Sequence, residues 1–383
     1  MNWLLSKVMK KLREECNSSD LPLGPFYIFH IPRNFDNKPY LLPMVGIPTK
    51  GCSWMRKGGG CTMCYYGYGF DIRDSDVLKY TKEAIDACRF KPILHIAPLG
   101  SFFDDTEVSP KLRKGILKMV KMASVKRIGT ESRAEFITKE KIRMATEILG
   151  NIKLDVGLGL ESSNEYIREF CINKNLPTHI FLNAIEILKD YNVSISTHVL
   201  LKPPFLTEKE AIDDAIKSIR FCIKNGVDDV VLLPVNLRTK GTLVNCMVKN
   251  SIYRLPWLWS LIKVFEYLPK KYTNNVSISG LWGNLPTLMR VAHNCEKCTP
   301  HVIALIERFC YTGDYRYIKK AGRIKCECKK EWKKEIKTKQ PPLEERLIED
   351  YGKICVSLFG ENFWKENKDK ILAMIYGRAR SIL

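Results

Sequence analysis

The stretch GCSWMRKGGGCTMC, residues 51–64, carries three cysteines, Cys52, Cys61 and Cys64, in the spacing C-x8-C-x2-C. It follows directly after the apolar run at residues 40–48, which we predict to be a strand. Because α/β enzymes place their chemistry at the C-terminal ends of strands, we expect the three thiols at the mouth of a sheet. Four thiolates close a zinc site or an iron–sulfur cluster, whereas three leave one coordination position open. The alternative is a zinc loop that takes its fourth ligand from elsewhere in the chain.

Short apolar runs alternate with amphipathic segments from residue 40 to about residue 243. Helix-capping signals accompany several of the amphipathic segments, with Thr138 and Thr207 before charged first turns and Gly150 and Gly226 at the ends. This alternation predicts βαβ units and a parallel sheet, which is either an open doubly wound sheet or an incomplete barrel. No G-x-G-x-x-G motif opens the first helix, which disfavours a dinucleotide-binding fold. The predicted strands are YLLPMVGIP (40–48), PILHIAPLG (92–100), VKRIGTES (125–132), LDVGLGLES (154–162), VSISTHVLL (193–201) and DDVVLLPVN (228–236).

The sequence divides into three regions at changes in this rhythm. Residues 1–39 form an N-terminal extension that begins with an amphipathic basic segment, residues 40–245 carry the alternation, and residues 246–383 form a C-terminal region. In the last region an aromatic-rich stretch, RLPWLWSLIKVFEYLP at 254–269, is predicted to be helical. A second set of cysteines and a lysine-rich segment follow it.

Composition restricts the partners and the compartment. The 383 residues include 62 Lys and Arg against 42 Asp and Glu, a net charge of +20 that favours nucleic acid as a partner. The alternative is the basic bias of a thermophile or of a high-salt cytoplasm. No window reaches the ~18 uninterrupted apolar residues of a membrane helix, and the N-terminal apolar stretch is too short for a signal peptide. We therefore expect a cytoplasmic protein without a membrane partner, whose clustered cysteines serve metal binding or catalysis rather than disulfides.

The second cysteine set consists of two close pairs, Cys295 with Cys298 and Cys326 with Cys328. Paired cysteines of this kind in a reducing compartment predict a zinc site. His293 and His301 are substitutes if one cysteine is not a ligand, and a second iron–sulfur cluster is the alternative.

The segment around the last pair is strongly basic and contains aromatic residues. Between Arg316 and Lys339 there are eleven basic residues against three acidic ones, interleaved with Tyr317 and Trp332 and preceded by Tyr315. A charge run is usually a solvated helical face. Beside a metal-stabilised knob, lysines interleaved with aromatic rings suit an RNA backbone with splayed bases. The lysines that we expect to contact RNA are Lys329, Lys330, Lys333 and Lys334.

Several stretches together resemble the radical S-adenosylmethionine (radical SAM) superfamily, in its Elongator-like branch. The cysteine stretch at 51–64 is one of them, and ESRAEFIT (131–138), VGLGLESSNEYIREFCINKN (156–175) and HVLLKPP (198–204) are the others. Two further stretches are similar to a narrower family, the radical SAM subunit of archaeosine synthase. They are PVNLRTKGTLV (234–244) and VAHNCEKC (291–298).

This resemblance implies a partial (β/α)6 radical SAM barrel with a [4Fe–4S] cluster on Cys52, Cys61 and Cys64. The open iron of the cluster would bind SAM, and an electron would cleave it to methionine and a 5′-deoxyadenosyl radical. Glu131 and Arg133 would face the substrate or form an ion pair at the mouth of the barrel. The residues implied to contact SAM are Met63 beside the adenine, Gly100, Ser101 and Phe102 at the amino group, Glu161 at the ribose or amino group, Lys174 at the carboxylate, and His198 near the ribose unless it is a core histidine.

The narrower resemblance implies a function in archaeal transfer RNA. A lysine-transferring archaeosine synthase subunit attaches lysine to the preQ0 base in the D-loop, and the radical SAM subunit breaks a lysine C–N bond to leave the formamidine of archaeosine. The implied partners are therefore tRNA, the lysine-transferring subunit and an electron donor. The alternatives are another radical SAM reaction on tRNA and a non-catalytic, zinc-bearing RNA-binding module.

Overall fold

The structure is a computed structural model of the chain. It describes residues 2–14, 26–35, 38–65, 67–123, 125–238, 240–281 and 288–382. The predicted basic segment at the N-terminus is helix α1 (Trp3–Glu14), which buries Leu4, Leu5, Val8 and Met9. Met1 before this helix, and Glu15 and Cys16 after it, lie outside the described residues.

Within the described part of the chain, eight strands form one mixed sheet and two form a small antiparallel pair. The sheet order is β1-β2-β3-β4-β5-β6-β7-β9, with β1 antiparallel to β2 and every later neighbour parallel. The strands are β1 (Tyr27–Phe35), β2 (Lys38–Gly46), β3 (Ile93–Ala97), β4 (Arg127–Ser132), β5 (Lys153–Glu161), β6 (Ser194–Leu201), β7 (Asp229–Pro234), β8 (Leu237–Arg238), β9 (Val276–Ile278) and β10 (Leu288–Arg290).

The six predicted strands are β2 to β7, and their order decides between the two expected architectures. They follow one another in chain order without the reversal of a doubly wound sheet, so the expectation of a partial (β/α)6 barrel is confirmed. The two edges of the sheet also approach each other. Arg33 on β1 donates a hydrogen bond to the carbonyl oxygen of Ile278 on β9 (2.9 Å), and Asn34 donates to the carbonyl oxygen of Tyr311 (3.0 Å). The edge strands β1 and β9 lie outside the predicted range 40–245.

Helices cover the outside of the sheet and build the C-terminal region. Thr138 and Thr207 cap helices as predicted, and Thr207 forms a full capping box with Glu210. Gly150 has a φ of 63°, which ends α5 at the expected place. The helices after α1 are α2 (Ser53–Gly58), α3 (Asp74–Ala87), α4 (Pro110–Met122), α5 (Lys139–Leu149), α6 (Glu165–Ile167), α7 (Thr178–Asp190), α8 (Glu208–Lys224), α9 (Leu243–Lys249), α10 (Leu258–Tyr267), α11 (Thr299–Thr312), α12 (Arg316–Arg323), α13 (Cys328–Lys337), α14 (Leu343–Phe359) and α15 (Glu361–Ile382).

The two faces of each strand have different roles, because successive side chains point to opposite sides of a sheet. On β5 the residues Leu154, Val156, Leu158 and Leu160 are buried in the main hydrophobic core. The alternate positions are Asp155, Gly157, Gly159 and Glu161, so the inner face is polar and rich in glycine. The inner face therefore leaves room for a ligand inside the barrel.

The C-terminal helices continue the same core rather than forming a separate one. Phe265 on α10, Trp332 on α13 and Ile354 on α14 belong to the hydrophobic cluster that contains the strand residues. Tyr351 on α14 donates a hydrogen bond to the carbonyl oxygen of Phe170. Of the helices that the structure describes, none combines the length and the apolar character needed to cross a bilayer.

Candidate active site and metal centre

The three-cysteine loop (residues 51–64) follows β2 at the C-terminal edge of the parallel sheet. Cys52 precedes α2, and Gly59 and Gly60 then turn the chain back with a φ of 77° each, a conformation that favours glycine. The side-chain amide of Asn173 donates to the carbonyl oxygens of Gly58 and Gly60, both at 2.9 Å. The loop is therefore held at the mouth of the barrel by a residue more than a hundred positions away.

Burial and nearby cations act in opposite directions on the thiols of this loop. Burial raises the pKa of Cys61 to about 12, against the opposing effects of the Lys174 ammonium and the Arg133 guanidinium. Burial also raises the pKa of Cys52, and Arg133 is the main opposing charge. A bound metal would stabilise the thiolate forms of Cys52 and Cys61 against this effect of burial, and Arg133 and Lys174 would add to that stabilisation.

The three thiols of this loop are ligands of the kind that an iron–sulfur cluster uses. Among the described residues, the sulfurs of Cys52, Cys61 and Cys64 do not gather within 4.8 Å of one another. In an iron–sulfur cluster each thiolate binds a different iron, so that its ligands lie farther apart than those of one ion. The three residues would hold the cluster and would leave one iron without a protein thiolate.

A buried ion pair lies beside this loop. Lys174 Nζ is 2.9 Å from Glu161 Oε1, and both side chains are less than 10% exposed. Glu161 ends β5 with a φ of 74° at a shift in register, a strained conformation of the kind that accumulates at functional sites. A Cβ on Gly159 would lie 2.6 Å from Lys174 Nζ, so only glycine leaves room for the pair. The structure thus brings two predicted SAM contacts together.

The segment after β3 meets the cysteine loop from the other side. A Cβ on Gly100 would lie 2.7 Å from Cys52 Cα, so the two backbones are in close contact. The Ser101 amide donates to Glu107 Oε2 (2.6 Å), and Ser101 Oγ accepts a hydrogen bond from the Arg133 amide (3.0 Å). Phe102 packs in the hydrophobic core, and its amide donates to the carbonyl oxygen of Glu131 (2.9 Å).

The other predicted SAM contact on this loop is Met63, which is half-buried in the turn between Cys61 and Cys64. Gly100, Glu161 and Lys174 therefore lie near the cysteine loop that carries Met63. Their roles toward SAM remain predictions.

Glu131 lies between two histidines on the inner face of the barrel. Its Oε1 atom is 3.5 Å from His95 Nε2 and 3.8 Å from His198 Nε2. Burial raises the pKa of Glu131, but His198, His95 and Lys174 outweigh it and lower the pKa to about 2. The carboxylate is therefore ionised and faces the interior, where it can accept hydrogen bonds from a bound molecule.

Arg133 does not pair with Glu131. Its Nε atom is 2.5 Å from Glu135 Oε1, and its Nη2 atom donates to the carbonyl oxygen of Lys174 (2.8 Å). Arg133 thus links the end of β4 to the loop that carries Lys174.

The second cysteine set forms a compact four-sulfur group. The Sγ–Sγ distances are 3.5 Å for Cys295–Cys298, 3.4 Å for Cys295–Cys326, 3.6 Å for Cys298–Cys328 and 3.5 Å for Cys326–Cys328. A tetrahedral ion with metal–sulfur bonds of about 2.3 Å would separate its ligands by about 3.8 Å. These sulfurs can therefore bind one metal ion, and the indole N–H of Trp259 donates to Cys328 Sγ at 3.4 Å.

The predicted RNA-contacting lysines lie on α13, next to this metal centre and not at the barrel mouth. Lys329 is half-buried, donates to the carbonyl oxygen of Gly322 and lies 4.8 Å from the ring centre of Trp259. It therefore has a structural contact that the sequence did not reveal. The remaining three, called the α13 lysines below, are exposed: Lys330, Lys333 and Lys334.

Three residues near the cysteine loop were missed by the sequence-based reasoning. His95 could have been found from the sequence, because it alternates on β3 with the buried residues Leu94 and Ile96 and therefore points to the inner face. Glu107 is buried against Ser101, and this burial raises its pKa to about 7. Arg13 comes from the N-terminal extension and donates to the loop backbone, and no local pattern signals this contact.

Comparison with known proteins places the chain among archaeal relatives, although no family model matches it. Archaeosine synthase subunit beta of Methanosarcina acetivorans is 32% identical over 292 residues, which is 75% of this chain and 82% of that protein. The subunit beta of Thermococcus kodakarensis is 30% identical over 308 residues, 78% of this chain and 93% of that one. An uncharacterized protein of Methanocaldococcus jannaschii is 32% identical over 350 residues, 85% and 91% of the two chains.

Solved structures with similarity to the chain include two enzymes. Methylornithine synthase (PylB) has a TM-score of 0.47 and 14% identity, with 72% of this chain and 69% of that chain covered. The radical S-adenosylmethionine methyltransferase TsrM of Kitasatospora setae has a TM-score of 0.40 and 11% identity, with 55% and 37% covered. Identity of 30–32% over most of both sequences shows that the chain belongs to the archaeosine synthase subunit beta family.

Proposed function

We propose that this chain is a radical SAM enzyme that completes archaeosine in tRNA by breaking a lysine C–N bond on the lysine-bearing preQ0 base. Membership of the archaeosine synthase subunit beta family supports the archaeosine role. The observation that carries the proposal is the three-cysteine loop at the barrel mouth, which faces the buried Glu161–Lys174 pair.

In this proposal Cys52, Cys61 and Cys64 hold a [4Fe–4S] cluster that supplies reductive cleavage of SAM when it is loaded. Glu161 and Lys174 present one anion and one cation to the amino and carboxylate groups of SAM. Their ion pair keeps both groups charged and oriented before the ligand arrives.

The inner face of the barrel supplies the substrate side of the site. Glu131 is an ionised acceptor held by two histidines, and the N–H groups of a deazaguanine base or the ammonium group of its lysine are donors that suit it. Gly157 lies beside Glu131, and its missing side chain leaves that part of the inner face open for a flipped base. The C–N cleavage then leaves the formamidine nitrogen on the base, and the carbon skeleton of the lysine is the leaving group.

Binding of tRNA is assigned to the C-terminal region. The barrel mouth holds one base, whereas a whole tRNA is bound through phosphate contacts. The α13 lysines are exposed beside the four-cysteine centre, which we propose binds zinc and keeps α13 in place. The partner that supplies the lysine-bearing tRNA is the other archaeosine synthase subunit, and a low-potential protein supplies the electron.

The test is a single-turnover reaction under anaerobic conditions. Reconstituted protein, SAM, dithionite and lysine-bearing tRNA should yield archaeosine in the digested nucleosides, detected by mass spectrometry, together with 5′-deoxyadenosine. A Cys61→Ala variant is the matched control, and it should bind the same tRNA without forming either product.

Two other outcomes would assign a different function. A different modified nucleoside together with 5′-deoxyadenosine would indicate another radical SAM reaction on tRNA. Zinc without iron in the anaerobically reconstituted protein, with tRNA binding intact, would indicate a non-catalytic RNA-binding module.

A further inference from the structure

Arg13, at the end of α1, lies directly behind the three-cysteine loop. Helix α1 packs against the glycine turn so closely that a Cβ on Gly59 would lie 2.8 Å from Met9 Cβ. The Arg13 side chain is only 8% exposed, and both of its Nη atoms would be 3.2 Å from a Cβ on Gly60. The arginine therefore fills the space that the glycine turn leaves open.

The guanidinium group holds the backbone at two of the three cysteines. Arg13 Nη2 donates to the carbonyl oxygen of Cys61 at 3.1 Å and to that of Cys64 at 3.0 Å. Its Nε and Nη1 atoms are buried and have no hydrogen-bond partner among the described residues. A buried polar group without a partner is costly, so these two N–H groups need an explanation.

The positive charge of Arg13 also needs a partner. A buried guanidinium requires a nearby anion, and Arg13 forms no ion pair with a carboxylate in the described part of the chain. The sulfurs of the cysteine loop become anionic when they bind a metal, and Arg13 lies beside them because it bonds the backbone of two of those cysteines.

We propose that Arg13 is a positioning residue for the cluster, which fixes the Cys61–Cys64 turn and makes the cluster easier to reduce. This inference rests on the proposed function, since it requires a cluster on the three-cysteine loop. When a one-electron donor reduces the cluster, one negative charge is added to it and no bond is broken. A buried cation beside the ligands lowers the free energy of that more negative state.

The N-terminal helix is consequently part of the active site. The side chain of Asn2, at the start of α1, donates to Tyr351 Oη on α14 (3.3 Å) and to the carbonyl oxygen of Glu169 (3.4 Å). Helix α1 therefore connects the cysteine loop to the C-terminal helices, and Arg13 is its contact with the cluster ligands.

The experiment compares Arg13→Gln, which removes the charge, with Arg13→Lys, which retains it. Lys10→Gln is the matched control, because Lys10 lies on the same helix but is exposed. Each protein is reconstituted, analysed for iron and sulfide, and titrated with dithionite under electron paramagnetic resonance, without SAM or tRNA. We expect Arg13→Gln to disfavour reduction at least tenfold, which is a midpoint potential about 59 mV lower for a one-electron couple. Arg13→Lys and Lys10→Gln should remain close to the wild-type potential.

A wild-type potential in a fully loaded Arg13→Gln protein would overturn this inference and leave the proposed function intact. If the Arg13→Gln protein does not bind a cluster, the Arg13→Lys protein decides. A wild-type midpoint potential of its cluster supports the inference, and an altered midpoint potential contradicts it. Failure of both variants to fold would also overturn it, because the arginine would then serve folding alone. A wild-type protein that holds no iron would instead refute the proposed function and this inference with it.

Discussion

The Glu161–Lys174 pair offers the sharpest test of the SAM site, because its two charges are buried and bonded to each other. At 2.9 Å and an effective dielectric constant of about 20, their attraction is about 6 kcal/mol. Removing one partner leaves the other charge buried, so Glu161→Gln or Lys174→Met should each lower the free energy of unfolding by about 3–5 kcal/mol. The double variant has no unpaired charge and should recover much of that loss.

The same double variant should bind SAM poorly although it is folded. Each lost charge-assisted hydrogen bond contributes roughly 1.5–3 kcal/mol, so SAM affinity should fall by about tenfold or more. Stability is measured by urea unfolding of the cluster-free protein, and SAM affinity by calorimetry on the reconstituted protein.

The chain contains a matched control pair. Lys202 Nζ is 2.7 Å from Glu208 Oε1, and both side chains are as buried as those of the first pair. Replacing this pair by Lys202→Met and Glu208→Gln should alter the free energy of unfolding and leave SAM affinity unchanged. Wild-type SAM affinity in the Glu161→Gln/Lys174→Met protein would refute the assignment of this pair to SAM.

The other predictions concern RNA, metal and pH. Changing the three α13 lysines to alanine should weaken tRNA binding, and the slope of log affinity against log salt concentration should fall by up to about three units. SAM cleavage without tRNA should persist. An unchanged slope would mean that α13 is only a solvated face. Elemental analysis of a Cys61→Ala protein should find one zinc and no iron, and an added Cys298→Ser change should remove that zinc. Iron in the Cys61→Ala protein would instead indicate a second cluster at the four-cysteine centre. Because the pKa of Glu131 falls from 4.5 to about 2 in the folded protein, its stabilising effect is present above pH 4.5 and is lost as the pH falls toward 2. Urea unfolding of Glu131→Gln should therefore approach wild type as the pH is lowered from 6 to 3.5, and a constant difference would contradict this.

Spacing within the sequence determined the features that depend on neighbouring residues. Short apolar runs between amphipathic segments located all six strands from β2 to β7, because the strands of a parallel sheet covered by helices are apolar over much of their length. The pairs Cys295/Cys298 and Cys326/Cys328 identified a metal centre, because ligands two or three positions apart converge on one ion wherever the chain brings the pairs together. The C-x8-C-x2-C spacing likewise located the loop that we propose carries the cluster.

Contacts between distant segments were decided by the tertiary structure alone. His95, Glu131 and His198 meet because β3, β4 and β6 direct side chains of successive levels of the sheet into one lumen, and this depends on strand order and curvature. Arg13 reaches the cysteine loop from 48 positions away, because helix α1 packs on a turn where glycine leaves space. Lys329 contacts Gly322 and Trp259, although the α13 lysines on the same helix are exposed. A sequence gives the periodicity of each element, whereas the partner of a buried charge is fixed only when the elements pack and water is excluded.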